Sequence, residues 1–123
     1  MHRRWLTAIG VGTVLVTLGL AAVVLVSGAV DLILLLVLVL WALGGTGWIA
    51  AGEDWAVADL TWYQLVGVSV GLVAAGMSLL AVQTLATGGD QVVGGMQAMI
   101  AVVLAIQAAN HYRGGNITDV VDV

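Results

Sequence analysis

Four long apolar stretches constrain this sequence more than any other feature. Each contains 21 or 22 residues, and they lie at 5–26, 30–51, 65–86 and 92–112. At 1.5 Å per residue, a helix of this length is roughly 32 Å long, which matches the ~30 Å hydrocarbon core of a bilayer. The pattern therefore predicts one all-α domain over residues 1–123, an integral membrane four-helix bundle made of two antiparallel transmembrane hairpins.

The number and placement of the charges favour the same interpretation. Only 8% of the residues are charged and 62% are hydrophobic, whereas about a quarter of the residues in a soluble domain are charged. The three basic and seven acidic residues fall outside the apolar stretches or in their first two positions. The acidic, lysine-free composition resembles that of membrane proteins from extreme halophiles, a likeness of composition that identifies no family.

Polar residues and glycines separate the stretches and are typical of helix ends. Asp31 and Asp90 are suited to be N-caps, because a carboxylate there accepts hydrogen bonds from the free backbone N–H groups. Residues 61–64 (Thr-Trp-Tyr-Gln) fit a capping box at the start of the third helix. Gly88 or Gly89 is expected to adopt the left-handed conformation that ends the third helix.

The basic and aromatic residues indicate the orientation. Arginine marks the cytoplasmic side of a membrane protein, and Trp and Tyr prefer the depth of the headgroups. A four-span arrangement places these residues on one side: Arg3, Arg4, Arg113, Trp5, Trp48, Trp55, Trp62, Tyr63 and Tyr112. We therefore expect a cell-membrane protein with both termini, the 52–62 loop and the tail 113–123 in the cytoplasm. The first stretch is longer than the apolar region of a secretory signal peptide, so we expect a retained helix.

Small residues predict how the helices pack. Inside lipid, the close approach of helices depends on small side chains, so a repeated small residue marks a contact face. The third and fourth stretches carry such stripes at spacings of four and three, and the first carries a weaker one at Ala8, Gly12, Gly19 and Ala22. The predicted packing residues of the third and fourth helices are Gly67, Gly71, Ala74, Ser78, Gly94, Ala98, Ala101 and Ala105.

The second stretch differs from the others. Residues 32–40 are all Leu, Ile or Val, so we expect this helix to be the most exposed to lipid, or to contact another subunit. Tryptophan recurs every seventh residue from Trp41 to Trp62, but four glycines between residues 44 and 52 interrupt any continuous stripe. We interpret these tryptophans as part of an interfacial aromatic belt.

Glutamines within the stretches are the main polar candidates. Gln83 and Gln97 each lie seven residues from Asp90, so an antiparallel hairpin brings them to a similar depth. They could form an interhelical hydrogen bond, since a buried amide without a partner is costly. Alternatively, each reaches the interface or bonds the backbone independently.

Motifs for chemistry are missing from the sequence. It contains no phosphate-binding loop, dinucleotide fingerprint, nucleophile elbow or cysteine, and no basic run that suits nucleic acid. We expect no enzymatic activity, cofactor or metal. We expect the lipid bilayer to surround the protein. The predicted role is structural or accessory, through helix packing with itself in a homo-oligomer or with a larger membrane partner. The alternative is an oligomeric small-solute transporter or channel built around the third and fourth helices.

Overall fold

A computed structural model describes residues 4–28, 31–57 and 59–114 of the chain. The described residues form four α-helices and no strand: α1 at Arg4–Ser27, α2 at Leu32–Gly52, α3 at Trp62–Ala86 and α4 at Gln91–Tyr112. All four helices are long and apolar enough to cross a membrane. The all-helical, four-helix prediction is confirmed. The tail beyond residue 114 lies outside the described residues.

Side-chain caps set the beginnings of three helices, as the sequence predicts. The carboxylate of Asp31 accepts hydrogen bonds from the first turn of α2, and that of Asp90 does the same for α4. At α3, the Thr61 hydroxyl accepts from the Gln64 backbone N–H, and the Gln64 side chain accepts from the Thr61 N–H. This capping box is confirmed, and it starts α3 at Trp62, three residues before the predicted boundary.

Two glycines in the left-handed conformation turn the chain at one end of the bundle. Gly28 follows α1 and Gly88 follows α3, each with a φ of 73°. This region costs glycine nothing, because it has no Cβ to meet the backbone. Of the two glycines predicted for the second turn, the structure places the positive φ at Gly88.

Helices that follow one another in the chain pack together. Among the described residues, extensive contacts join α1 with α2, α2 with α3, and α3 with α4, but no others. The expectation that the second helix is the most exposed is therefore wrong, since α2 has two neighbours and α1 and α4 have one each. α2 also buries six residues, among them Val37 and Leu38 from its leucine-rich half, whereas α4 buries two.

The apolar core lies at the end where α1 and α3 begin and α2 and α4 end. We call this the core end and the opposite one the turn end. The core cluster consists of buried Leu6, Ala50, Ala51, Leu65, Val66 and Val70, with Trp48, Leu60, Trp62, Tyr63, Leu104 and Ala108 packed against it. Its members come from every helix, so all four helices contribute to the core at this end.

Candidate functional site

Glycines bring the backbones of α1 and α2 together. A Cβ added at Gly10 would lie 2.5 Å from the carbonyl oxygen of Gly45, and one at Gly45 would lie 3.1 Å from that of Gly10. At the core end, Gly52 packs against Thr7, whose hydroxyl donates a 2.9 Å hydrogen bond to Glu53 Oε1. Of the four glycines that interrupt the tryptophan spacing, Gly45 and Gly52 therefore pack α2 on α1, a contact that the sequence pattern did not indicate.

The contact between α2 and α3 combines close packing with one hydrogen bond. A Cβ at Gly44 would lie 3.0 Å from the carbonyl oxygen of Ser69, a fully buried residue. Trp41 Nε1 donates a 3.3 Å hydrogen bond to the backbone carbonyl of Val73, and its ring lies against Gly76. Trp41 is the tenth residue of the 21-residue α2. Its assignment to an interfacial belt is therefore wrong, because Gly76 leaves room for the indole in mid-helix.

Both predicted small-residue stripes lie along the contact of α3 with α4. A Cβ at Gly67 would be 2.7 Å from the Tyr112 backbone nitrogen, one at Gly71 would be 3.7 Å from Ala108 Cβ, and one at Gly94 would be 2.6 Å from Leu85. Between these approaches the helices leave a groove of about 330 Å³, lined by Ser78, Ala81, Val82, Leu85, Ala98, Ala101, Val102 and Ala105. Ala74 and Ala101 are buried.

The small residues of α1 point outwards. Ala8, Gly12, Gly19 and Ala22 are all exposed, and a Cβ at Gly12 or Gly19 would meet nothing within 4 Å. The α1 stripe proposed from the sequence is therefore on the wrong side of the helix to pack within the described chain. Gly10 packs against α2 instead, because two residues along a helix correspond to about 200° of rotation.

Gln83 and Gln97 do not pair with each other. Gln83 Nε2 donates to the carboxylate of Asp31, and Gln97 Oε1 accepts a 2.9 Å hydrogen bond from the Thr84 hydroxyl. The predicted pair is wrong, because each amide has a partner at similar depth on a different element. These four residues form a polar cluster at the turn end that connects α2, α3 and α4.

Five hydroxyls within the helices bond their own backbones. Each donates to the carbonyl four residues earlier, at 2.8–2.9 Å, and they belong to Thr13, Thr17, Thr46, Ser69 and Ser78. Such a bond satisfies the hydroxyl without a partner on another helix. These side chains therefore need no water or polar ligand as a hydrogen-bond partner.

Possible metal ligands are dispersed in the described ranges. No group of three His, Cys, Asp or Glu side chains there could hold a metal ion. His111, near the end of α4, has a buried Nδ1 with no hydrogen-bond partner. His2 lies outside the described residues. The absence of a metal or cofactor remains a prediction.

Taken together, the geometry defines a small four-helix protein with four candidate membrane spans and closely packed helix contacts. The chain belongs to the Family of unknown function (DUF7994), whose model matches residues 1–123. No curated protein and no solved structure matches it.

Proposed function

We propose that this chain is a non-enzymatic, multi-pass protein of the cell membrane that acts through helix packing, either with itself or with a larger membrane partner. The observation that carries the proposal is the outward-facing small stripe of α1. Glycine in a helix is less favourable than alanine by about 1 kcal/mol, so Gly12 and Gly19 are costly where nothing packs on them. A helix that approaches closely would offset this cost.

The arrangement of the other helices supports the proposal. α1 and α4 each pack on one neighbour in the described chain, so each retains a broad apolar face that another helix could cover. Five hydroxyls within the spans, those of Thr13, Thr17, Thr46, Ser69 and Ser78, are satisfied by their own helices. This distribution suits a protein surrounded by apolar side chains and lipid.

The proposed orientation has both termini and the loop between α2 and α3 in the cytoplasm. Single cysteines are clean probes because the chain contains none. We expect a cysteine at Gln91, beside the turn between α3 and α4, to react with a membrane-impermeant maleimide added to intact cells. One at Val57 should react only after permeabilisation. The reverse labelling pattern would contradict the orientation.

A larger side chain on the outer face of α1 tests the packing role. We expect the protein, extracted in mild detergent, to migrate as a complex on native gels and Gly12→Leu to release the monomer. Leu18→Ile, a change at another exposed position of α1, is the matched control and should leave the complex intact. Mass spectrometry of the complex separates a homo-oligomer from a larger assembly. A monomeric wild-type chain without partners would overturn the proposal.

The alternative role, a small-solute transporter or channel, is tested by the same protein in liposomes. The turn-end polar cluster is the feature that favours it, since polar side chains within a span are what a solute path requires. Selective flux through wild-type protein that Gln97→Leu abolishes would replace the packing role with transport. Liposomes no leakier than protein-free ones would support the packing role.

A further inference from the structure

An apolar cavity of about 280 Å³ lies between α2 and α3, in the half of the bundle that contains the core end. The two helices contribute Leu43, Thr46, Ala50, Leu65, Val68 and Leu72 to its lining. On each helix these residues extend over roughly 10 Å of the helix axis, at 1.5 Å per residue. A volume of this size over that length gives a narrow cavity parallel to the spans.

The loop between α2 and α3, residues 53–61, also lines this cavity. It contributes Trp55, Val57 and Leu60. The Trp55 backbone N–H donates a 2.9 Å hydrogen bond to the Ala50 carbonyl, which holds the start of the loop against the end of α2. Because the loop joins two candidate spans, it lies at a membrane surface whichever way the protein is inserted. The cavity therefore extends from a membrane surface into the hydrocarbon region.

The helix walls of the cavity suit a hydrocarbon ligand. Thr46 and Ser69 carry the hydroxyls in its lining, and each donates a 2.9 Å hydrogen bond to the carbonyl four residues earlier in its own helix. A polar ligand group placed between the helices would lose its hydrogen bonds to water without a protein donor in return, which is costly. The part of a ligand that lies there is therefore apolar.

The loop favours a positive charge at the surface end of the cavity. It contains Glu53, Asp54 and Asp59, all exposed, and no basic residue. Asp54 and Asp59 directly precede two lining residues, Trp55 and Leu60. Carboxylates attract an ammonium group and repel an anion, and the face of a tryptophan ring also attracts an ammonium group. The Trp55 side chain is half-exposed, so a head group at the surface can reach it.

We propose that this cavity binds a single-chain amphiphile with an ammonium head group. Its chain lies between α2 and α3, and its head group lies beside Trp55 and the loop carboxylates. Sites for drug-sized ligands measure about 300–1,000 Å³, so a cavity of about 280 Å³ holds one chain. A helix of a second copy, about 10 Å across, is too wide to enter it. The cavity is separate from the outer face of α1, so the proposal does not depend on the packing role.

Photoreactive probes in phosphatidylcholine vesicles test the site in the full chain. Three probes share a dodecyl chain with a diazirine in it and differ in the head group, which is trimethylammonium, alcohol or sulfate. Mass spectrometry locates the crosslinks at Leu43, Val68 and Leu72. Each yield is divided by the yield at Met99, an exposed residue of α4 outside the cavity, which corrects for the amount of probe in the bilayer.

We expect the ammonium probe to label the cavity about tenfold more than the alcohol probe, the combined effect of the tryptophan face and the carboxylates. The sulfate probe should label it less than the alcohol probe. Asp59→Asn and Trp55→Leu should each reduce the ammonium yield about threefold and leave the alcohol yield unchanged. A tenfold excess of unlabelled dodecyltrimethylammonium should suppress labelling in the cavity and not at Met99.

A variant that fills the cavity tests its position. Val68→Phe adds bulk to a partly exposed lining residue and should reduce labelling of Leu43 and Leu72 by all three probes. Val103→Phe, on the exposed face of α4, is the matched control and should leave this labelling unchanged.

Three results would overturn the proposal. Equal yields for the three head groups would show that the loop does not select a cation. Cavity labelling that excess competitor does not suppress would indicate ordinary contact with lipid. Labelling unchanged by Val68→Phe would place the probe outside the cavity. Asp59→Asn changes only an exposed loop side chain, so it provides the test of charge even if Val68→Phe fails to fold.

Discussion

Replacement of Gly10 by alanine is the most direct test of how α1 packs on α2. The new Cβ would lie 2.5 Å from the Gly45 carbonyl oxygen and 2.7 Å from the Ile49 backbone nitrogen. Favourable carbon contacts lie near 3.5–4.0 Å, so the helices must separate by about 1 Å. Overpacking of this kind costs about 1–3 kcal/mol. The cost at Gly10 lies at the upper end of this range, because the new Cβ would approach backbone atoms.

Gly10→Ala also has a favourable contribution to stability, which has to be subtracted from the packing cost. Alanine is better than glycine in a helix by about 1 kcal/mol. The expected net effect of Gly10→Ala is therefore a destabilisation of about 2 kcal/mol, the difference between the packing cost and the helix gain. Gly95→Ala in α4 is the matched control, because its Cβ would meet nothing within 4 Å and only the helix gain remains.

Reversible unfolding in mixed micelles of mild detergent and dodecyl sulfate, followed by tryptophan fluorescence, measures both effects. We expect Gly10→Ala to unfold at a lower dodecyl sulfate fraction than the wild type. Gly95→Ala should unfold at an equal or higher fraction. If Gly10→Ala were as stable as Gly95→Ala, the backbone contact between Gly10 and Gly45 would be refuted.

Three further predictions concern other contacts. Gly67→Ala should destabilise by about 2 kcal/mol net of the helix gain, because its Cβ would approach the α4 backbone to 2.7 Å. Gly95→Ala, in open space, should not destabilise, and equal midpoints for the two variants would contradict this. Thr61→Ala should cost about 1 kcal/mol and speed amide exchange in the first turn of α3, and unchanged exchange would argue against the capping box. Trp41→Phe should cost about 0.6–1.7 kcal/mol through the lost bond to Val73, and a midpoint unchanged from the wild type would show that this bond contributes nothing.

The helices and their ends could be predicted from local pattern. A long apolar run defines a candidate span whatever surrounds it, and the caps at Asp31, Thr61 and Asp90 depend on residues within one turn. The packing face of each helix was harder to predict. Gly, Ala, Val and Leu occupy every side of these helices, so periodicity does not separate a face that meets a helix from one that meets lipid.

The outcomes for α1 and α2 illustrate this limit. Gly10 and Gly12 are equivalent by residue type, yet one touches a neighbouring backbone and the other faces outwards. Similarly, Gln83 and Gln97 lie at matching depth, but their partners depend on which side chains surround them. The bond from Gln83 to Asp31 joins residues 52 positions apart, a relation that no local pattern contains.

The order in which the helices pack has a consequence for biosynthesis. Since extensive contacts among the described residues join only consecutive helices, each new helix finds its partner in the one made just before it. Low contact order of this kind favours rapid folding, and chains fold from the N-terminus as they are synthesised. The protein can therefore assemble at the pace of translation, with no early helix waiting in the bilayer for a late one.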